Sequence, residues 1–205
     1  MYGMYGYGYG YGFDPTIILV LIGVALSLWA QGRVNSTFSR YSRVRSMTGM
    51  TGAEAARRLL NAQGIYDVTV QPIAGELTDH YDPRTKTVNL SQSVYGATSV
   101  AAIGVAAHEC GHAMQDNEGY APLRFRSALV PVANFGSSLS WPLILLGLVF
   151  GGLGSPLVEI GILMFSLAVL FQLVTLPVEY NASARAVRLL DSQGILAGEE
   201  VSGTR

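Results

Sequence analysis

The chain has a single cysteine, Cys110, among its 205 residues. No intrachain disulfide can form, and nothing points to an oxidising compartment. Charge is scarce: Asp, Glu, Lys and Arg make up 13% of the residues, against about 25% in a soluble domain. The 13 basic and 14 acidic residues nearly cancel, giving a net charge of -1. Overall charge therefore gives no reason to expect a nucleic-acid partner. The first residues lack the basic n-region of a signal peptide, and the chain carries no internal repeat. What is plentiful is apolar: hydrophobic residues reach 50% and mean hydropathy is +0.34. This composition points to a membrane protein.

Three segments are long and apolar enough to span a bilayer, which takes roughly 20 residues. They are residues 15–31, 129–150 and 157–176. A Tyr/Gly-rich tail, residues 1–14, precedes the first and reads as flexible and membrane-facing. In the second, Pro131 and Pro142 are candidate kinks, and Asn134, Ser137, Ser138 and Ser140 form a polar stripe of the kind that faces a neighbouring helix. Residues 151–156, Gly-Gly-Leu-Gly-Ser-Pro, make a tight turn, so residues 127–176 form a hairpin. Arg33, Arg40, Arg43 and Arg45 follow the first span, Arg124 and Arg126 precede the second, and Arg185 and Arg188 follow the third. By the positive-inside rule all three spans agree. The N-terminus and the hairpin turn lie outside; residues 32–126 and 177–205 lie in the cytoplasm. The arginines beside the first span also suit contact with anionic lipid.

Within the cytoplasmic part, Thr51-Gly-Ala-Glu54 is a capping box that starts a helix over residues 51–63, with Gly64 as its C-terminal stop. Residues 65–73 read as a strand, 79–84 as a turn, and 85–91 as a second strand. If that second strand is an edge, it could take an extended peptide as an added strand. Residues 97–115 form the next helix. Pro177 predicts a break or a kink, after which residues 179–193 form a helix with Gly194 beyond it. The fold class expected is thus a mostly α membrane protein with three transmembrane helices and a small α+β cytoplasmic domain.

The chemistry lies in His-Glu-Cys-Gly-His, residues 108–112. On a helix, positions i and i+4 share a face. His108 and His112 can therefore bind one Zn2+, with Glu109 beside them as general base. Cys110 falls off that face and reads as a packing residue. A catalytic zinc usually has three protein ligands. Asp116 and Glu118 follow His112 too closely to fold back, and Glu159 lies at the far membrane face. Glu179 remains, on the correct side, with Asp191, Glu199 and Glu200 as weaker candidates. The hairpin leaves and returns on one side, which brings Glu179 back toward the histidines near the cytoplasmic membrane surface. Zinc lowers the pKa of a bound water toward about 7 and polarises a scissile carbonyl. Candidates for oxyanion or substrate contact are His80, Tyr81, Tyr180 and Arg185; the sequence does not choose among them. For His80 the competing reading is a hydrogen bond within its turn.

These residues carry a resemblance. His108-Glu-Cys-Gly-His-Ala-Met-Gln115, Asp79-His-Tyr-Asp-Pro83, Phe13-Asp-Pro-Thr16 and Leu176-Pro-Val-Glu-Tyr-Asn-Ala-Ser183 together resemble the bacterial neutral zinc membrane metallopeptidases of the YugP type. More distantly the chain is similar to the HtpX and CAAX prenyl protease group, which pairs H-E-x-x-H with a later E-x-x-A-D. The resemblance implies a zincin-like, minimal gluzincin domain, with His108, His112 and Glu179 as zinc ligands and Glu109 as base. Ser183 stands where that group has an acid supporting a metal-binding histidine, and a serine can still hydrogen-bond there. The activity implied is a zinc endopeptidase in the bacterial cell membrane, acting on peptides or membrane proteins. Membrane lipids are implied as partners, and a membrane-protein partner or a second copy as a further one. The competing function is a non-enzymatic membrane adaptor whose zinc is structural or whose site is silenced. Glu109 argues against it, because a structural site needs no base.

Overall fold

A computed structural model describes residues 16–152, 155–198 and 200, with side chains from Ile22 onward. The Tyr/Gly-rich tail lies outside the described residues. The chain divides into two units, residues 1–40 and 41–205. The first is carried by α1 (Thr16–Tyr41), a 26-residue helix. It runs ten residues past the expected end of the first span. Gly32 alone lowers helix propensity by only about 1 kcal/mol, and no proline follows it to stop the helix. The described apolar side chains Ile22, Val24, Leu26, Leu28 and Trp29 are exposed.

The second unit begins with α2 (Gly52–Ala62). Its capping box forms: Thr51 N–H donates to Glu54 Oε2 at 2.8 Å, and Glu54 N–H to Thr51 Oγ1 at 3.2 Å. Gly64 follows the helix at φ +70, in the left-handed region that glycine enters freely. Strands β1 (Thr69–Ile73), β2 (His80–Asp82) and β3 (Thr87–Ser91) form one sheet in the order β1-β3-β2. β1 is parallel to β3 with Val70 opposite Val88; β2 is antiparallel to β3 with Tyr81 opposite Val88.

Two expectations change here. Residues 79–84 are not a turn throughout: His80–Asp82 is a strand, and the turn occupies residues 83–86. A strand of three residues is too short to show an alternating pattern, and Pro83 with its polar neighbours masks it. The strand over 87–91 is central, so the edges of the sheet are β1 and β2.

A short helix, α3 (Gln92–Tyr95), leads to α4 (Val100–Asn117), capped by Ser99 Oγ accepting from Ala102 N–H at 3.2 Å. α4 is the central helix of this unit. Its Val-Ala-Ala-Ile-Gly-Val-Ala-Ala start keeps side chains small, so neighbours approach closely. Val100, Ala102, Ile103, Ala106 and Ala107 are fully buried, alongside Leu59 and Leu60 of α2, Val88 and Leu90 of β3, Val94 of α3, and Leu190, Ile195 and Leu196 near the C-terminus.

Two helices long and apolar enough to cross a membrane follow: α5 (Ala121–Gly151), 31 residues, and α6 (Pro156–Ser192), 37 residues. At 1.5 Å per residue they are about 46 and about 55 Å long, against a hydrocarbon core of about 30 Å. They pack as an antiparallel hairpin with glycine at the crossings. A Cβ on Gly161 would stand 2.6 Å from Ile144 Cγ1 and 2.9 Å from the Ser140 carbonyl, the close approach that small residues give membrane helices. The serines expected as a polar stripe turn inward on their own helix: Ser137, Ser138 and Ser140 hydroxyls donate to backbone carbonyls three residues back. Pro177 causes no break, and α6 is helical through it. The lost N–H is tolerated because packing holds both flanks, with Thr175 and Val178 buried.

The burial pattern makes a test. Leu190→Ala empties a fully buried site and should lower stability in detergent by about 2–5 kcal/mol. Leu163→Ala, on an exposed face of α6, should change it by less than about 0.5 kcal/mol. Comparable shifts in the two thermal midpoints would contradict the burial described.

Candidate metal centre

His108 and His112 project from one face of α4, one turn apart, their rings edge to face with centroids 4.9 Å apart. The opposing surface is α6. The two helices meet at Gly111 and Ala182: a Cβ on Gly111 would stand 2.5 Å from the Ala182 carbonyl oxygen. No larger residue fits between the histidines at this crossing without moving α6. The contact carries Glu179, three residues before Ala182, onto the imidazoles. Glu179 Oε2 lies 3.2 Å from His108 Nε2 and 3.3 Å from His112 Nε2. One ligand atom from each of the three residues lies within 4.8 Å of the others. Among the described residues this is the His/Cys/Asp/Glu group arranged to hold an ion.

Hydrogen bonds support both rings from behind, and one of them fixes a tautomer. Gln115, fully buried, donates through Nε2 to the Val178 carbonyl and to Asn181 Oδ1, each at 2.9 Å. Both amide protons are thus committed, and Gln115 Oε1 faces His112 Nδ1 at 3.0 Å as an acceptor. His112 Nδ1 must carry the proton. Its Nε2 then turns a lone pair, or a second proton, toward the Glu179 carboxylate. His108 has a matching support: its Nδ1 lies 3.0 Å from Ser183 Oγ. Two imidazole nitrogens and a carboxylate oxygen converging in this way call for a cation between them, and the donor set suits a divalent metal ion.

Glu109 follows His108 on the helix and is buried at 8% exposure. Its Oε2 accepts from the backbone N–H of Tyr81 in β2 at 3.0 Å. Burial pushes its carboxyl above the usual range, and the neighbouring His108 and His112 pull against that rise. Hydrogen bonds from His108 and then His112 hold the Glu179 carboxyl well below the usual range, with burial opposing them. On His108, burial opposes the charged form, but Glu179 and Glu109 outweigh it and the net direction is upward.

The other predicted contacts sit elsewhere. His80 holds its strand: Nδ1 donates to the Thr78 carbonyl at 2.8 Å, and Nε2 accepts from Asn89 Nδ2 at 3.2 Å. The Tyr81 hydroxyl donates to Asp116 Oδ2 at 2.8 Å, which also receives Lys86 Nζ at 2.7 Å. Burial, then Asp116, raise that phenol far above its ordinary value. Tyr81 therefore reaches the site through its backbone and not its ring. Arg185 Nε donates to Asn181 Oδ1 at 2.7 Å, and its Nη1 pairs with Glu118. Tyr180 is 73% exposed. Cys110 is buried, with Sγ 3.6 Å from the Ala56 carbonyl of α2, as a packing residue would be.

Sequence reasoning missed two neighbours of the site. Gln115 was legible, because it lies three residues after His112 on the same helix face. Arg126 was read only as a charge flanking a span; it meets Glu179 Oε1 through Nη2 at 3.0 Å, a tertiary contact with no local signal.

Residues 16–205 match the family model described as "Putative neutral zinc metallopeptidase". The chain belongs to that family. It is 48% identical over 187 residues to "Putative membrane protease YugP" of Bacillus subtilis (strain 168), a match covering 91% of this chain and 82% of that protein. No solved structure matches the chain. Membership in a zinc metallopeptidase family agrees with a group of two histidines and a glutamate able to hold a metal ion.

Gly111 gives the direct test of this geometry. Gly111→Ala should force α6 away from α4 and reduce metal retained after purification by about tenfold or more, the scale on which ligand support acts. Metal analysis by mass spectrometry reads the outcome. Wild-type stoichiometry in that variant would contradict the tight crossing.

Proposed function

We propose that the protein is a membrane-embedded zinc endopeptidase that hydrolyses peptide bonds at the cytoplasmic membrane surface. The observation that carries this reading is the convergence of His108, His112 and Glu179 within 4.8 Å, with Glu109 buried on the same helix. His108 Nε2, His112 Nε2 and Glu179 Oε2 would hold the zinc. When bound, zinc polarises a scissile carbonyl and lowers the pKa of a water toward about 7. Glu109 is the general base: it takes a proton from the attacking water and passes it to the leaving amine. The Tyr81 N–H on Oε2 leaves Oε1 for that transfer and fixes the carboxylate's direction.

Gln115 keeps His112 in the tautomer that a metal requires, and the Ser183 hydroxyl is placed to accept a proton from His108 Nδ1. Oxyanion stabilisation by His80, Tyr81 or Arg185 would need those side chains to leave the partners described above. β2 adjoins Glu109 and is an edge of the sheet, so it replaces β3 as the strand beside which an extended peptide would lie.

The membrane reading rests on α5 and α6 and on the relative described as a membrane protease. A third span over residues 15–31, with the N-terminus outside, completes the proposed topology in the bacterial cell membrane. α4 ends four residues before α5 begins, so the metal centre would sit close to the bilayer surface. Substrates would be membrane proteins, or peptides presented there. Lipids would surround the spans, with a membrane-protein partner or a second copy as a further neighbour.

Glu109→Gln separates the enzyme from a silent adaptor. Cleavage of an unfolded protein such as casein, in detergent, should fall by about 100-fold or more, while zinc per chain stays at the wild-type level. Glu179→Ala should instead lose zinc. Full cleavage by Glu109→Gln would remove the proposed base. Zinc-loaded wild type that cleaves neither casein nor itself would favour the adaptor.

A further inference from the structure

Arg126 lies in the second turn of α5, where a cation next to a span is expected to face lipid headgroups or water. Its guanidinium faces Glu179 instead: Nη2 stands 3.0 Å from Oε1, with the two side chains 32% and 35% exposed. The guanidinium of Arg124, two residues earlier, lies beside Gly119. The two oxygens of Glu179 are thereby divided. Oε1 meets the arginine, and Oε2 alone faces the two imidazoles, at 3.2 and 3.3 Å.

A carboxylate can bind a metal ion through one oxygen or through both. The last torsion of a glutamate is broad and soft, so side-chain rotamers alone do not decide between the two. A charge-assisted hydrogen bond to one oxygen does. A catalytic zinc needs three protein donors and an open position for water; a second oxygen from the same glutamate would be a fifth donor and crowd that position.

We propose that Arg126 is a positioning residue for the metal centre, holding Oε1 of Glu179 so that the glutamate offers the ion a single oxygen. The inference rests on the ligand set proposed above. It also ties the centre to a third helix: α4 supplies the histidines, α6 the carboxylate, and α5 the group that orients it. In this role Arg126 acts through Glu179.

Metal affinity alone is a poor readout, because losing the anchor weakens binding while losing a nearby positive charge strengthens it. Coordination number is free of that conflict. The protein is loaded with Co2+ in detergent, and the visible absorption per bound cobalt is compared for wild type, Arg126→Ala and Arg126→Lys. With Ala, both oxygens of Glu179 reach the ion, and absorption per cobalt should fall as coordination rises from four to five. Lys restores a positive charge at that position and should return the spectrum most of the way to wild type. If Arg126→Ala does not fold, Arg126→Met, neutral and of similar length, takes its place. A wild-type cobalt spectrum in the neutral variant overturns the proposal. Glu179→Ala keeps the two ideas apart: full cobalt binding with an unchanged spectrum there removes the ligand reading itself, whereas lost cobalt or a changed spectrum, with Arg126→Ala unchanged, removes only the role of Arg126.

Discussion

The candidate metal centre depends on one backbone contact, between Gly111 in α4 and the Ala182 carbonyl in α6. A missing Cβ lets the helices approach to a distance at which any other residue would clash. Everything in the site follows from that approach. His108 and His112 flank the glycine by three residues and one residue, and Glu179 and Ser183 flank the alanine by three and one in turn. The crossing therefore sets a carboxylate from α6 against two imidazoles from α4, with the Ser183 hydroxyl behind His108. Were the helices further apart, the carboxylate would face the rings without closing the group.

Around that contact the polar groups form a continuous set of hydrogen bonds. Gln115 links His112 to Val178 and Asn181, Asn181 takes Arg185, and Arg185 takes Glu118. On the other side Asp116 gathers the Tyr81 hydroxyl and Lys86, and the Tyr81 N–H holds Glu109. Among the described residues, every fully buried side-chain N or O atom has a hydrogen-bond partner. Satisfied networks of this kind are rigid, whereas partly satisfied ones are destabilising. The side chains that converge on the candidate metal centre are thus held in place from behind, in α4, α6 and the sheet.

How much of this the sequence carries depends on the range of the interaction. His108, Glu109 and His112 are legible because a helix places i and i+4 on one face, a local rule. Glu179 is legible through topology, since a hairpin that leaves and returns on one side limits where a third donor can be. The capping box at Thr51 is equally local, and it forms as read. What the sequence conceals is non-local. β3 lies in the middle of the sheet because β1 and β2 pair with it from opposite sides, and strand order leaves no mark in a run of five residues. Pro177 reads as a breaker, yet the packing of Thr175 and Val178 carries α6 through it. Arg126 reads as a membrane-flanking charge, and only the fold turns it onto Glu179. His80 and Arg185 have the right chemistry for an active site, but their hydrogen bonds lead elsewhere.

The donor set is the claim on which the rest stands, and X-ray absorption at the zinc edge tests it most directly in the wild-type protein. The account predicts a first shell of two imidazole nitrogens and oxygen donors at about 2.0–2.2 Å, with no sulfur. A sulfur shell near 2.3 Å, a single imidazole, or a preparation that retains no zinc would contradict it.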